Sequence, residues 1–276
     1  MSAGATFTPA IGERIRELLG TFKVPTLAAE LVRRFGEAGH GDVLPLVLEL
    51  LEQEAGDRHE RRVERLRRAS KLPPGKTFAT LKESHLPRPL MHKLRELAGG
   101  SFLERAVNVL CFGLPGVGKS HAACALGHAL VDRGHAVLFT PAYELVQQLL
   151  AAKRDLALPR ALRKLDAFEL LIVDDIGYVQ QTPEEAEVLF TLLADRYERR
   201  SVLLTSNLVF SHWDRIFKSP MATAAAIDRV VHHSVILEFK GPSIRSEEAM
   251  QRHRGAEAPS EDREPKAASG GRKEGK

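Results

Sequence analysis

Apolar residues follow two different periods along this chain. In the first seventy residues they recur every three or four positions. Ile11, Ile15, Leu18 and Leu19 share one helical face, and Leu27, Leu31 and Phe35 follow Pro25, a residue suited to a first helical turn. Gly39 and Gly41 interrupt the pattern before the apolar run 43–51, which passes into a polar helix. No strand-like segment intervenes, so residues 1–70 are predicted to form an all-helical unit. Lys71-Leu72-Pro73-Pro74-Gly75 cannot continue a helix, and Pro87 and Pro89 predict an irregular linker over residues 71–100 that packs across the second domain.

From residue 101 the pattern changes. Short continuous apolar runs at 107–112, 136–139, 170–173 and 201–204 alternate with helical stretches, one starting at Lys119 and another at Pro141. Alternation of this kind predicts βαβ units: an α/β domain over residues 101–246 with a parallel sheet covered by helices. Thr182-Pro183-Glu184-Glu185 marks a helix start, with a capping Thr, Pro in the first turn and a Glu placed for a capping box. Ser211-His212-Trp213-Asp214 is a weaker version. Residues 247–276 are rich in Glu, Arg, Lys, Gly, Ser and Pro, and predict a disordered tail.

Composition narrows the class. Hydrophobic residues at 43% and charged residues at 28% of 276 exclude a disordered chain, a collagen and a coiled-coil rod. The run 43–51 is too short to span a bilayer and holds Pro45 and Glu49, and residues 1–10 lack a secretory signal pattern. Two cysteines cannot build a disulfide framework, which predicts a cytoplasmic protein. The net charge of +4 permits nucleic-acid binding without requiring it.

The candidate chemistry sits at the ends of the predicted strands. Gly113-Leu114-Pro115-Gly116-Val117-Gly118-Lys119-Ser120 fits GxxxxGK[ST], directly after an apolar strand and at a helix start. Its glycines let backbone N–H groups curl around a β-phosphate. Lys119 can reach the β- and γ-phosphates, and the Ser120 hydroxyl can ligate Mg²⁺. The run 168–173 ends in Asp174 and Asp175, suited respectively to a Mg²⁺ shell and to activating water. The run 202–204 ends in Thr205-Ser206-Asn207, where Asn207 is either a γ-phosphate or water ligand or a simple cap.

Several motifs then occur in one order: the Pro-Gly-Val-Gly-Lys-Ser loop, Val173-Asp174-Asp175-Ile176-Gly177-Tyr178, Arg196-Tyr197-Glu198-Arg199, Thr205-Ser206-Asn207, Trp213 with Ile216-Phe217, and Ala226-Ile227-Asp228-Arg229-Val230-Val231-His232-His233. Together they resemble the IstB-like insertion-sequence ATP-binding proteins over about residues 10–246. These are AAA+ helper ATPases of a transposase, close to the replicative helicase loaders. The resemblance implies a P-loop AAA+ three-layer fold, ATP and Mg²⁺ as cofactors, homo-oligomeric rings or spirals on duplex DNA with ATP between subunits, and delivery of that DNA to the transposase. It places Asn207 at a sensor position, Arg229 where an arginine completes a neighbour's ATP site, and Arg245 at a second sensor. Asp175 stands where many relatives have Glu, and Ile244 where an aromatic is usual. A helicase loader and, more distantly, a P-loop kinase of a small substrate are the alternative functions.

Two basic clusters are the DNA candidates. Arg58, Arg61, Arg62, Arg65 and Arg68 recur at helical spacing and are expected to share a face, and Lys153, Arg154, Arg163 and Lys164, with Arg160, precede the Asp-Asp strand. Neither is rich in aromatics, so phosphate contact without base reading is expected. Adjacent His232 and His233 are expected to point apart on a helix and form no metal site. Cys111, Cys124 and Trp213 are expected in the core.

Overall fold

Residues 9–177, 182–217, 219–244 and 246 are described by the structure, a computed structural model. The expected disordered tail, residues 247–276, lies outside them.

The helical front forms as its apolar spacing predicts. Helix α1 (Pro9–Thr21), helix α2 (Pro25–Glu37) and the first half of helix α3 (Leu44–Ala69) enclose Ile15, Leu19, Val32 and Leu44, with Ile11, Leu31, Phe35 and Leu48 packed around them. Leu27 departs from the expected face and is exposed. At 26 residues α3 is about 39 Å long, so it extends beyond the front. Its second half buries Val63 and packs Leu66 against the core of the α/β part.

The stretch expected to be irregular is built into that core. Leu72 fills the space left by Gly127, the Ser70 carbonyl accepts from Phe139 N–H at 2.7 Å, and His128 Nε2 lies 3.1 Å from the Pro73 carbonyl. Helix α4 (Arg88–Leu97) then buries Leu90, Met91, Leu94 and Leu97. Pro89 does not prevent it, because in the first helical turn the missing N–H has no intrahelical acceptor to lose.

Among the described residues of the chain's second part run five parallel strands: β1 (Asn108–Gly113), β2 (Val137–Pro141), β3 (Leu170–Asp174), β4 (Ser201–Ser206) and β5 (Ser234–Phe239), in the order β2-β3-β4-β1-β5. Alternate residues serve two cores. Val109, Cys111, Leu170 and Ile172 face α4 and helix α5 (Lys119–Asp132). Leu110, Phe112, Leu171 and Val173 face helices α6 (Ala142–Arg154), α8 (Pro183–Arg196) and α10 (Pro220–Val231). Burial on both faces explains why the strands are continuous apolar runs. Helix α7 (Leu158–Leu165) follows α6, and the short helix α9 (Asp214–Phe217) precedes α10. The result is a three-layer α/β fold, a parallel sheet with helices on both faces. Cys111, Cys124 and Trp213 are buried, and Trp213 packs among Phe112, Phe210 and Phe217.

Arg196 is 1% exposed. Its guanidinium donates to the carbonyls of Leu165, Phe168 and Ser201 at 3.0 Å each, which joins α7, the approach to β3 and the start of β4. Burial pushes its pKa down to about 10, still well above neutrality. The charge therefore persists, and the carbonyl dipoles offset its desolvation.

Candidate functional site

A parallel sheet presents the carboxyl ends of its strands at one edge, and the candidate residues meet there. After β1 the chain turns through Gly113 (φ 153°) and Gly118 (φ 101°) into α5. A Cβ on Gly113 would stand 2.3 Å from the Phe239 carbonyl oxygen, so the close approach of β1 and β5 admits no side chain there. Pro115 and Gly116 form the crest, Val117 is buried beneath it, and Ser120 lies in the first turn of α5. The Lys119 ammonium donates to the carbonyls of Gly113 at 2.7 Å and Leu114 at 2.9 Å. This places a buried cation at the loop mouth, held by partners that phosphate oxygens can replace.

Beyond β5 the chain folds back over the loop: Ile244 N–H donates to the Gly116 carbonyl at 3.0 Å. Ile244, Lys76, His121, Gly118 and Ser120 line a cavity of about 280 Å³ beside Lys119. Lys76 comes from the segment read as a linker. The Ile244 side chain thus covers the loop without an aromatic ring. Arg245 lies outside the described residues, and its sensor role stands on the resemblance alone.

The two carboxylates are divided by the end of β3. Asp174 is the last strand residue and half-buried, whereas Asp175 is exposed and left-handed (φ 63°). Thr205, on the paired strand β4, joins them: its Oγ1 donates to Asp174 Oδ1 at 2.6 Å and accepts from Asp175 N–H at 2.8 Å. No sequence signal gave Thr205 this role, because it depends on the β3–β4 register. Asn207 follows the end of β4, and its Oδ1 is buried with no hydrogen-bond partner among the described residues. An orphaned acceptor at this edge suits a bound water or ligand donor. The donor set as a whole (one hydroxyl, one carboxylate, an ammonium and loop N–H groups) fits a nucleotide with a hard oxygen-loving cation. The Cys111 thiol, pushed up to about 12 by burial and then by Asp174 and lowered by Lys119, shows both charges near the end of β1.

Arg229 is not at this edge. It lies near the end of α10, which leads into the opposite end of β5, and its guanidinium stacks 4.8 Å from the Phe190 ring centroid while donating to the Ala225 carbonyl.

The arginine cluster on α3 does not present one uniform face. Arg58 and Arg61 pair with Glu54, and Arg68 with Glu64. Arg62 turns towards the α/β part and donates to the Gly134 carbonyl at 3.1 Å, beside the Arg67–Asp132 pair. Arg65 is exposed. The second cluster is split as well. Lys153 pairs with Glu187 of α8 at 2.6 Å and Arg154 lines a cleft with Glu184 and Glu185, whereas Arg163 and Lys164 are exposed on α7. His232 and His233 do not point apart: α10 ends at Val231, and in the turn after it the two rings stand 4.2 Å apart.

The family described as IstB-like ATP binding protein matches residues 26–252. An insertion-sequence ATP-binding protein of Sinorhizobium fredii is 41% identical over 251 residues, covering 89% of this chain and 84% of its own. The ATP-binding protein of insertion sequence IS21 from Pseudomonas aeruginosa is 42% identical over 72% of this chain and 75% of its own. Among solved structures, AMPPCP-bound DnaA from Aquifex aeolicus superposes with a TM-score of 0.53 at 16% identity, over 68% of this chain and 57% of that one. The structure of DnaI gives 0.52 at 17% identity, over 62% and 96%. These last two show the shared fold. With a family match across most of its length, and with that family's phosphate loop on the expected sheet edge, this chain belongs to the IstB-like ATP-binding proteins.

Proposed function

We propose that this protein is an ATP-hydrolysing AAA+ subunit that assembles on duplex DNA and assists a transposase in selecting target DNA. The observation that carries the proposal is the separation of two half-sites on one fold. Lys119, Ser120, Asp174, Thr205 and Asn207 gather at the carboxyl edge of the sheet, whereas Arg229 precedes β5 at the other edge. The six residues of β5 span about 20 Å, more than one side chain can bridge. In this reading a second copy brings the arginine, and ATP turnover depends on assembly.

In this reading the loop N–H groups and the start of α5 orient the phosphates, and Lys119 exchanges its carbonyl partners for phosphate oxygens. Ser120 and Asp174 would hold Mg²⁺, which supplies charge neutralisation between the β- and γ-phosphates when bound. Asp175 accepts a proton from the attacking water, and Asn207 orients that water. Thr205 fixes Asp174 and the Asp175 backbone together. Arg229 of the partner subunit stabilises the charge that develops on the γ-phosphoryl group. Asp175 is one methylene shorter than a glutamate, which favours slow turnover until neighbouring subunits tighten the site.

Duplex DNA is assigned to the exposed arginines of α3 and to Arg163 and Lys164 of α7, contacting phosphate without reading bases. The pairs of Arg58 and Arg61 with Glu54 and of Arg68 with Glu64 are solvent-screened surface pairs, weak enough for phosphates to displace. No helix among the described residues is long and apolar enough to cross a membrane. A reducing cytoplasm suits the two buried thiols. The test is an ATPase assay across protein concentration, with and without duplex DNA. Turnover per subunit should rise with both; a rate flat from dilute to concentrated protein and indifferent to duplex would sink the proposal.

A further inference from the structure

We propose a second metal site, for a borderline divalent ion of the Zn²⁺, Co²⁺ or Ni²⁺ class, formed by Glu198, His232 and His233. It stands apart from the phosphate loop and does not depend on the function proposed above. Each residue offers one ligand atom, and these atoms all lie within 4.8 Å of one another. A tetrahedral ion with bonds of about 2.0–2.2 Å needs its ligands about 3.4 Å apart. Small side-chain rotations close that gap.

The backbone holds the three residues in place. Glu198 is left-handed (φ 57°), a conformation unfavourable for a residue with a side chain, and it turns the chain between α8 and β4. His233 Nε2 stands 3.7 Å from the Glu198 carboxylate. The His233 carbonyl accepts from Asn108 N–H at 2.7 Å, which ties this turn to the start of β1. His232 Nδ1 lies 3.0 Å from the Tyr197 hydroxyl. That contact holds the imidazole in place, as outer partners orient ligating histidines. All three residues are exposed, so an ion can enter and a water can complete the shell. Two imidazoles and one carboxylate favour this class of ion over Mg²⁺, which prefers an all-oxygen shell. A bound ion would cross-link the turn after α8 to the turn after α10, one helical turn beyond Arg229.

The experiment is a Co²⁺ titration of the full-length, nucleotide-free protein, followed by visible absorption and by thermal unfolding with Zn²⁺. One equivalent of Co²⁺ should give d–d bands that Zn²⁺ bleaches and a large excess of Mg²⁺ does not. His232→Ala and His233→Ala should abolish the bands, and Glu198→Gln should weaken binding at least tenfold. Asp174→Asn should leave them intact, which separates this site from the nucleotide site. Zn²⁺ should raise the unfolding temperature of the parent protein but not of His233→Ala. Absence of a saturable one-to-one spectrum would overturn the proposal. So would a spectrum that survives both histidine variants, because other surface histidines would then be the ligands.

Discussion

Replacing Thr205 with valine removes one hydroxyl from a 1%-exposed position and leaves the side-chain shape almost unchanged. Two hydrogen bonds go with it. The bond to Asp174, at 2.6 Å, is charge-assisted and worth about 1.5–3 kcal/mol. Asp174 is half-buried, so solvent screening puts it near the lower end. The bond from Asp175 N–H, at 2.8 Å, leaves an unpaired donor whose loss costs about 1–3 kcal/mol if water cannot reach it. Asp175 is exposed, so water takes up part of that cost. The two are coupled through one oxygen, and a net destabilisation of about 2–4 kcal/mol is expected rather than their full sum. Asp175 holds a left-handed backbone, and without its Thr205 anchor it can relax away from the geometry proposed for activating water. Thr205→Val should therefore lower kcat by about tenfold to a hundredfold, the range for about 1.4–2.7 kcal/mol of lost transition-state stabilisation. KM for ATP should change little, because the loop and Lys119 are untouched. Thr205→Ser, which keeps the oxygen, should retain most of the activity. Urea unfolding monitored by circular dichroism gives the stability change, and steady-state ATPase gives kcat and KM. A Thr205→Val protein that melts and turns over like the parent would show that the hydroxyl links nothing of consequence.

The geometry makes further outcomes testable. Lys119→Ala should lose ATP binding in a fluorescent-nucleotide titration, whereas Arg229→Ala should bind ATP and fail to turn it over. Mixing these two inactive proteins one to one should restore turnover at about a quarter of the interfaces, those pairing an intact loop with an intact arginine; a mixture as inactive as its components would refute action in trans. Arg61, Arg65 and Arg68 changed together to Ala should reduce the slope of log DNA affinity against log salt by about 3, read by fluorescence anisotropy. Arg62→Ala should instead lower thermal stability with a smaller effect on that slope, because its guanidinium is committed to the Gly134 carbonyl. The Glu169 carboxylate is held below 4.5: burial works to raise it, and hydrogen bonds from His135 and Ala136 N–H outweigh that. A lowered carboxylate adds stability above its unfolded pKa that is lost as pH falls through the folded value. Glu169→Gln should therefore flatten the loss of stability on acidification below about pH 4.5, measured by denaturant titration at each pH.

What was legible in the sequence was what is local in the chain. The phosphate loop is eight consecutive residues flanked by its own strand and helix, so its geometry comes from glycine placement and apolar pattern together. The first four strands announced themselves because each is apolar on both faces. The fifth did not: Ser234–Phe239 lies at the sheet edge, with Ile236 and Glu238 exposed, and it alternates rather than running continuously. Helix α4 was hidden by a proline whose meaning depends on its position in the first turn.

The relations that matter most for chemistry are those that only tertiary register creates. Thr205 and Asp174 are 31 residues apart, and nothing in either neighbourhood says that they touch. Their contact arises from the parallel alignment of Val173 with Leu204, which carries the next residue of each strand to the same level. His232 caps α10 and His233 follows it, and their rings stand 4.2 Å apart edge to face. Glu198 joins them from the far end of α8. A pattern reading treats adjacent histidines as belonging to one helix and an isolated glutamate as solvated surface. Each inference is sound for its own segment, and each fails where two segments end at the same edge of the sheet. In a parallel α/β fold that happens at both edges, because every helix must end before the strand it feeds. The carboxyl edge is where ligands are ordinarily sought. Here the amino edge also gathers Arg229, near the end of α10, and the Glu198–His232–His233 trio on the turns beside it, which a metal ion can fix.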